Sequence, residues 1–329
     1  MVSMQGGVGS QEHKGRKRDI GNVYAKSFLA GSDELHSIAA SVLQRMNAAL
    51  TKVITRTDGD GTIDVYPFNG AVNADFASLY LFGSEGATDF MTHMEKGQEF
   101  LGYQTTWLKG KPGHAEAQKW LENFGLRQCS DSASTLQDKE KHAGINSVVY
   151  KQLHARGLQG NDLASETLDH MIAGAEGPRT TLTYLQWELS KHPSLQSKLR
   201  TELSSLSSSP ETGLPDFKDL DALPFLDAVL TETMRLYTLA GGPQYRITPP
   251  EGTTLDGYFI PGGTQVSASF AILHKNDDVF PEPENWDPER WCVDDKERVE
   301  EMRKWFWGFG KGSRVCVGKD FTMIGKLVF

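Results

Sequence analysis

The chain of 329 residues has few cysteines, no long apolar run and no excess of positive charge. Each shortage removes a class of function. Three cysteines, Cys129, Cys292 and Cys316, are too few and too scattered for a disulfide framework or a structural zinc site, so a reducing compartment is expected. No stretch approaches the roughly 18 consecutive apolar residues of a membrane span, and MVSMQGGVGSQEHKGRKR lacks the apolar core of a signal peptide. A formal charge of −9 argues against nucleic-acid binding, which wants a basic face. No internal repeat stands out. With 38% hydrophobic and 10% aromatic residues, the chain can still bury a substantial core.

What is present reads mainly as helix. From Ser37 to Ile54, apolar Ile38, Val42, Met46, Leu50 and Val53 recur at helical spacing. Runs around Phe76–Phe82 and Phe90–Leu101 read the same way. Asn161 to His192 predicts one long helix interrupted in its middle by Gly177-Pro178. A charged amphipathic helix follows Pro193 and runs into the serine-rich connector SSLSSSPETG, after which LPFLDAVLTETMRLYTL predicts another helix. TTLDGYFIPGGTQVSASFAI alternates Val266, Ala268 and Phe270 against Gln265, Ser267 and Ser269, the period of a strand pair turning at PGG. DGDGTID at 58–64 resembles the middle of a calcium-binding loop. That alignment, however, puts Arg56 at the first ligand position and Pro67 at the twelfth, so a turn between helix and strand is expected instead. The fold class is mainly α with a small β part.

The stretch FWGFGKGSRVCVGKD, residues 306–320, asks for a chemical explanation. A lone cysteine cannot build a zinc site, but its thiolate can be the axial ligand of a metal held by a macrocycle. Such a sulfur must be deprotonated, kept dry and supported by backbone N–H groups. Gly310, Gly312 and Gly318 would let the chain turn tightly around it and approach a flat ring. Arg314 offers a charge suited to a carboxylate, and Phe309 could shield the sulfur. The commoner fate of a single cysteine, a buried free thiol in a glycine-rich turn, stays open on these residues alone.

Phe309, Gly312, Arg314, Cys316 and Gly318 spell F-x-x-G-x-R-x-C-x-G, which resembles the haem-binding loop of the cytochrome P450 monooxygenases. Other segments match in the family's order. ETMR places Glu232 and Arg235 three apart on one helix face. PERW supplies Arg290, and the resemblance implies a charged network of Glu232, Arg235 and Arg290 that holds the haem loop. It also implies a haem b (iron protoporphyrin IX) cofactor with Cys316 as axial ligand and Arg246 as a propionate partner. EHKGRKRDIGNVYAKSF resembles the W/H-x-x-x-R propionate clamp, with His13 in the first position and Lys17 where arginine is expected. Lysine keeps the charge and loses the bidentate fork. A basic surface there also suits an acidic electron donor.

The resemblance implies one incomplete P450 domain over 1–329, from the clamp helix to the start of the helix after the haem loop. Against the family pattern the anchor, the first helices and the last sheet are missing, so a chain truncated at both ends is expected. Endoplasmic-reticulum membrane attachment is the family expectation, with this chain soluble or peripheral as it stands. AGAEGPRTTL resembles the signature A/G-G-x-D/E-T-T: Glu176 keeps the acid, but Gly177 replaces the proton-delivering threonine. Pro178 should open the helix there. Thr181 lies one turn on, roughly 6 Å by helical rise, where it could position a water. Simple bonding of Thr180 and Thr181 to the preceding turn is the plainer reading. The resemblance thus implies a monomeric monooxygenase that uses O2 and two electrons from an NADPH-dependent reductase. It would hydroxylate or epoxidise a small lipophilic molecule, with fungal secondary metabolism suggested by local style. A haem-thiolate isomerase or dehydratase, or an inactive remnant, are the alternatives.

Overall fold

The computed structural model describes residues 10–55, 61–137, 144–239 and 241–328. In chain order the elements are α1 (Ser10–Ile20), α2 (Lys26–Ala30), α3 (Asp33–Ile54), α4 (Val65–Gly86), α5 (Met94–Leu108), α6 (His114–Gln137) and α7 (Val149–Ala155). Then come α8 (Gly160–Lys191), α9 (Pro193–Leu203), α10 (Phe217–Asp221) and α11 (Pro224–Leu236). Four short strands follow: β1 (Pro243–Ile247), β2 (Thr253–Leu255), β3 (Tyr258–Ile260) and β4 (Gln265–Ser269). The chain continues through α12 (Phe270–Leu273), α13 (Lys296–Trp305) and α14 (Lys319–Val328). It divides into two compact units: residues 1–183, 200–222 and 317–329 form the first, and residues 184–199 and 223–316 the second.

The first unit is organised around α4. Every residue from Phe68 to Gly83 is buried, polar Asn69, Asn73, Asp75 and Ser78 included, and α3, α5, α6 and α7 pack against it. At its end Gly83 takes φ +73°, and a Cβ there would come within 2.6 Å of the Ser147 nitrogen. Only glycine lets the strap at 144–148 lie this close, where Val148 N–H donates to the Tyr80 carbonyl at 3.0 Å. Asp75 is buried inside this helix and accepts from the Phe90 and Met91 amides, Thr88 and Arg45. Burial raises its pKa above the ordinary carboxylate value despite those donors. On α14, Phe321 stacks with Phe76 at 5.0 Å and meets the Tyr80 ring at a tilt at 4.7 Å, fixing the helix that follows the cysteine motif into this core.

The second unit packs Ala228, Phe280, Trp291 and Met302 into a small core, with Val279, Val299, Trp305 and Phe306 against it. β1 pairs antiparallel with β4, Pro243 opposite Ser269 and Ile247 opposite Gln265. β2 pairs with β3, Leu255 opposite Tyr258. The expected turn at PGG is therefore corrected. The hairpin turns at Asp256-Gly257, both at positive φ, the geometry that Asp-Gly favours. Pro261-Gly262-Gly263 is instead the corner between the two sheets, pinned where Thr248 N–H donates to the Thr264 carbonyl at 3.0 Å. Phe270 begins α12 and does not extend the strand.

Two further expectations change. Most of the DGDG stretch lies outside the described residues, but the element after it is a helix: Asp64 caps α4 by accepting from the Tyr66 amide at 3.0 Å. Helix α8 is continuous through Gly177-Pro178. The threonine hydroxyls at 180, 181 and 183 each donate to a carbonyl one turn back, the local bonding expected of threonine in a helix interior. Among the described residues no helix is long and apolar enough to cross a membrane. Because Pro178 leaves α8 without one backbone donor, Pro178→Ala should stabilise the protein by about 1–3 kcal/mol. The check is the urea midpoint, and a midpoint at or below wild type would refute this.

Candidate functional site

The sequence-predicted residues fall in both units. In the second, the structure brings Glu232, Arg235 and Arg290 together. Glu232 and Arg235 are fully buried and Arg290 nearly so. Arg235 reaches Glu232 with two parallel bonds, Nε to Oε2 at 2.8 Å and Nη2 to Oε1 at 2.7 Å. Helical i,i+3 spacing makes that fork possible. Arg290 Nε donates to Glu232 Oε1 at 3.1 Å, Trp291 Nε1 to Oε2 at 2.9 Å, and the Asp287 amide to Oε1 at 3.1 Å. Further guanidinium hydrogens go to carbonyls, Arg235 to those of His274, Pro283 and Asn285, and Arg290 to those of Pro281, Glu282 and Asn285. One carboxylate and two guanidiniums are thus desolvated and hydrogen-bonded on every nitrogen and oxygen, the condition under which a buried charge network is tolerated.

The cysteine turn leaves this scaffold after α13. Trp307 N–H donates to His274 Nε2 at 2.8 Å, Gly310 N–H to the Trp307 carbonyl at 2.8 Å, and Cys316 N–H to the Phe309 carbonyl at 2.9 Å. Gly310 and Gly312 both sit at positive φ, so the turn needs residues without a Cβ there. Gly312–Arg314 form a single 3-10 turn that is exposed throughout. Cys316 is in no disulfide and is exposed, while Phe309 is half-buried. Arg314 is exposed, and so is Arg246 on β1, whose guanidinium donates to the Tyr245 carbonyl at 2.7 Å.

The other predicted residues belong to the first unit. On α8, Glu176 accepts from Gln104 Nε2 at 2.9 Å and from Arg179 one turn on, and the Arg179 guanidinium lies 4.4 Å from the Tyr66 ring centroid. Thr181 is buried and its hydroxyl donates to the Gly177 carbonyl at 3.2 Å. Glu176 and Thr181 are therefore engaged separately. On α1, His13 is buried and Lys17 half-buried. Gly318 is half-buried, and its carbonyl accepts the Thr322 amide in the first turn of α14.

Sequence reasoning missed several partners. Arg16, between His13 and Lys17, donates to buried Glu166 at 2.6 Å, and Tyr24 bonds to His170 Nδ1 at 3.0 Å. Burial opposes ionisation of Glu166, but the His170 ring and Arg16 outweigh it and hold its pKa below the usual value. Only the i,i+4 spacing of Glu166 and His170 hinted at this pair. His274, fully buried beneath the cysteine turn, carried no motif signal. A cleft of about 760 Å³ in the second unit is lined by Trp187, Glu188, Tyr237, Trp286 and Arg290, and no residue of the cysteine turn lines it.

The cytochrome P450 family model matches residues 11–328. The chain belongs to the cytochrome P450 family. A cytochrome P450 monooxygenase of Aspergillus versicolor, avaI, is 30% identical over 98% of this chain and 81% of its own length. Another from Aspergillus hancockii, hkm5, is 25% identical over 95% of this chain and 64% of its own length, so this chain spans under two thirds of that relative. A third from Aspergillus terreus, tazI, is 39% identical over 48% of this chain. A P450 is a haem-thiolate oxidoreductase fold, and the mainly helical architecture with two small sheets is consistent with it. In this P450 the Glu232 network has no slack. Glu232→Gln would leave two buried guanidiniums short of a countercharge and should cost about 3 kcal/mol or more. A denaturation midpoint unchanged from wild type would contradict that.

Proposed function

We propose that this P450 holds haem b through the thiolate of Cys316 and acts as a monooxygenase on a small lipophilic molecule of fungal secondary metabolism. Hydroxylation or epoxidation would draw on O2 and two electrons from an NADPH-dependent reductase. The observation that carries this reading is the turn itself: an exposed thiol at the end of a positive-φ glycine turn, with exposed Arg314 and Arg246 in the same unit. One soft sulfur donor and two guanidiniums are a donor set that fits a thiolate-ligated iron porphyrin with two carboxylates. The relatives named as fungal monooxygenases support the same class.

The chemistry that a thiolate-ligated haem supplies is O–O cleavage, favoured by electron donation from sulfur. Around it, Cys316 would bind as an anion, and Arg314 and Arg246 would pair with propionates. His13 and Lys17 are the further clamp pair, with Lys17 offering a point charge in place of a fork. Gly310 and Gly312, lacking side chains, would let backbone approach the ring. Proton supply would fall to Glu176 and Thr181. Glu176 keeps a carboxylate 40% exposed beside Gln104 and Arg179. Thr181 has its hydroxyl proton committed to Gly177 and its lone pairs left to accept from a water. The exposed Lys14 and Arg18 of α1 would attract an acidic electron donor.

A second reading is favoured by one observation: position 177 has no hydroxyl, and the nearest one down the helix face donates backwards. A haem-thiolate isomerase or dehydratase needs no proton delivery to dioxygen. Reductase-dependent turnover set against peroxide consumption with the same substrate separates the two. Under the monooxygenase reading, Gly177→Thr should lower the peroxide released per electron pair, on the order of tenfold. Unchanged coupling would favour the second reading. Cys316→Ala should abolish the thiolate signature of the reduced carbon-monoxide difference spectrum. Its survival would sink the ligand assignment.

A further inference from the structure

One imidazole fastens the start of the cysteine turn to α11. His274 is fully buried at the end of α12. Its Nε2 lies 2.8 Å from the Trp307 amide nitrogen, which can only donate, so Nε2 carries no proton. The ring proton is therefore on Nδ1, which faces Thr238 Oγ1 at 2.8 Å and the Arg235 carbonyl at 3.1 Å. The His274 carbonyl in turn accepts from Arg235 Nη1 at 2.8 Å. The ring is stacked on Phe306 with centroids 5.4 Å apart and meets the edge of Phe280. From Trp307 the bonding continues to Gly310, and the next closure is Phe309 to Cys316.

We propose that His274 is a positioning residue for Cys316: as a neutral ring it ties the first turn of the loop to α11, and the loop is released when Nε2 can no longer accept the Trp307 amide. Both ring nitrogens are used, and a second ring proton would turn the Nε2 acceptor into a donor facing a donor. No other imidazole state satisfies both sides at once.

Burial presses the ring's pKa down to about 4; the bond to the Arg235 carbonyl raises it, the Arg235 charge lowers it and Glu232 raises it. Arg235 and Glu232 on α11 are the charged groups that face it, Arg290 reaches it only through Glu232, and the other sides present Phe280, Phe306 and Trp307. A released ring titrates near its ordinary value of 6.5. Between there and about 4 the open loop therefore binds more protons than the closed one, and acid favours opening. The closing contribution is complete above the ordinary value and is lost as pH falls through that window. Two and a half decades of separation allow on the order of a hundredfold rise in opening.

Although its functional meaning rests on Cys316 as the iron ligand, the tether itself is tested without iron. Hydrogen exchange of the segment 306–316 is measured on the haem-free full chain from pH 7 to pH 4, corrected for intrinsic rates. Wild type should lose protection on the order of a hundredfold across that range. His274→Gln, whose side-chain carbonyl can accept the Trp307 amide and does not titrate, should stay flat. His274→Phe, which keeps the stack on Phe306 but loses both nitrogens, should expose 306–316 at pH 7 while α4 stays protected. A flat wild-type profile, a glutamine variant that falls with wild type, or a phenylalanine variant as protected as wild type would each overturn the proposal. Should the phenylalanine variant not fold, the comparison of wild type with His274→Gln decides alone. A failed ligand assignment would show in the Cys316→Ala spectrum and leave this exchange result untouched.

Discussion

The second unit is assembled on the carboxylate of Glu232. It is wholly desolvated and accepts from Arg235, Arg290, Trp291 and the Asp287 amide, so α11 and the segment from 281 to 291 meet at two oxygen atoms. Because an unpaired buried charge costs several kcal/mol, the geometry tolerates neither a missing partner nor a misplaced one. That requirement orders the irregular chain between the last strand and α13, which has little regular hydrogen bonding of its own. Arg235 carries the order onward, since its third nitrogen holds the carbonyl of His274 and the ring of His274 holds the amide of Trp307.

Rigidity and access are divided along this chain of contacts. Glu232, Arg235 and His274 are fully buried, while Gly312, Arg314 and Cys316 are exposed. In the ligand role we propose for it, the Cys316 sulfur has to be fixed in direction yet open to what it binds. Anchoring the loop nine residues upstream, through Trp307, satisfies both demands. In the first unit α8 shows a related compromise. Small residues at 173, 174 and 177 and a proline at 178 thin one stretch of the helix, which stays continuous with threonine hydroxyls bonded to the preceding turn.

What could be read in advance followed from short-range geometry. Glu232 and Arg235 are three apart on a helix, so their pairing needed only the 3.6-residue period. The five spaced residues of the cysteine motif and the order of the surrounding segments pointed to the P450 family, and the chain belongs to it. The hairpin was misread because PGG looks like a turn, although Asp-Gly was the stronger signal and had the shorter strands around it. At Pro178 the lost donor was read correctly, but its effect on the helix was not. Helix α8 runs on through the proline, and the hydroxyls at 180, 181 and 183 bond to the carbonyls of 176, 177 and 179.

The sequence by itself determined the main helices, the cysteine motif and the acid–base pair of α11, because each depends on residues close to one another in the chain. Tertiary structure alone decided that β4 pairs with β1 and not β3, that Arg16 meets Glu166 across 150 residues, and that His274 sits under Trp307. Those contacts join residues far apart in the chain. A histidine in solution gains its second proton just below neutral pH, and burial between a carbonyl and an amide is what holds this one as a neutral link.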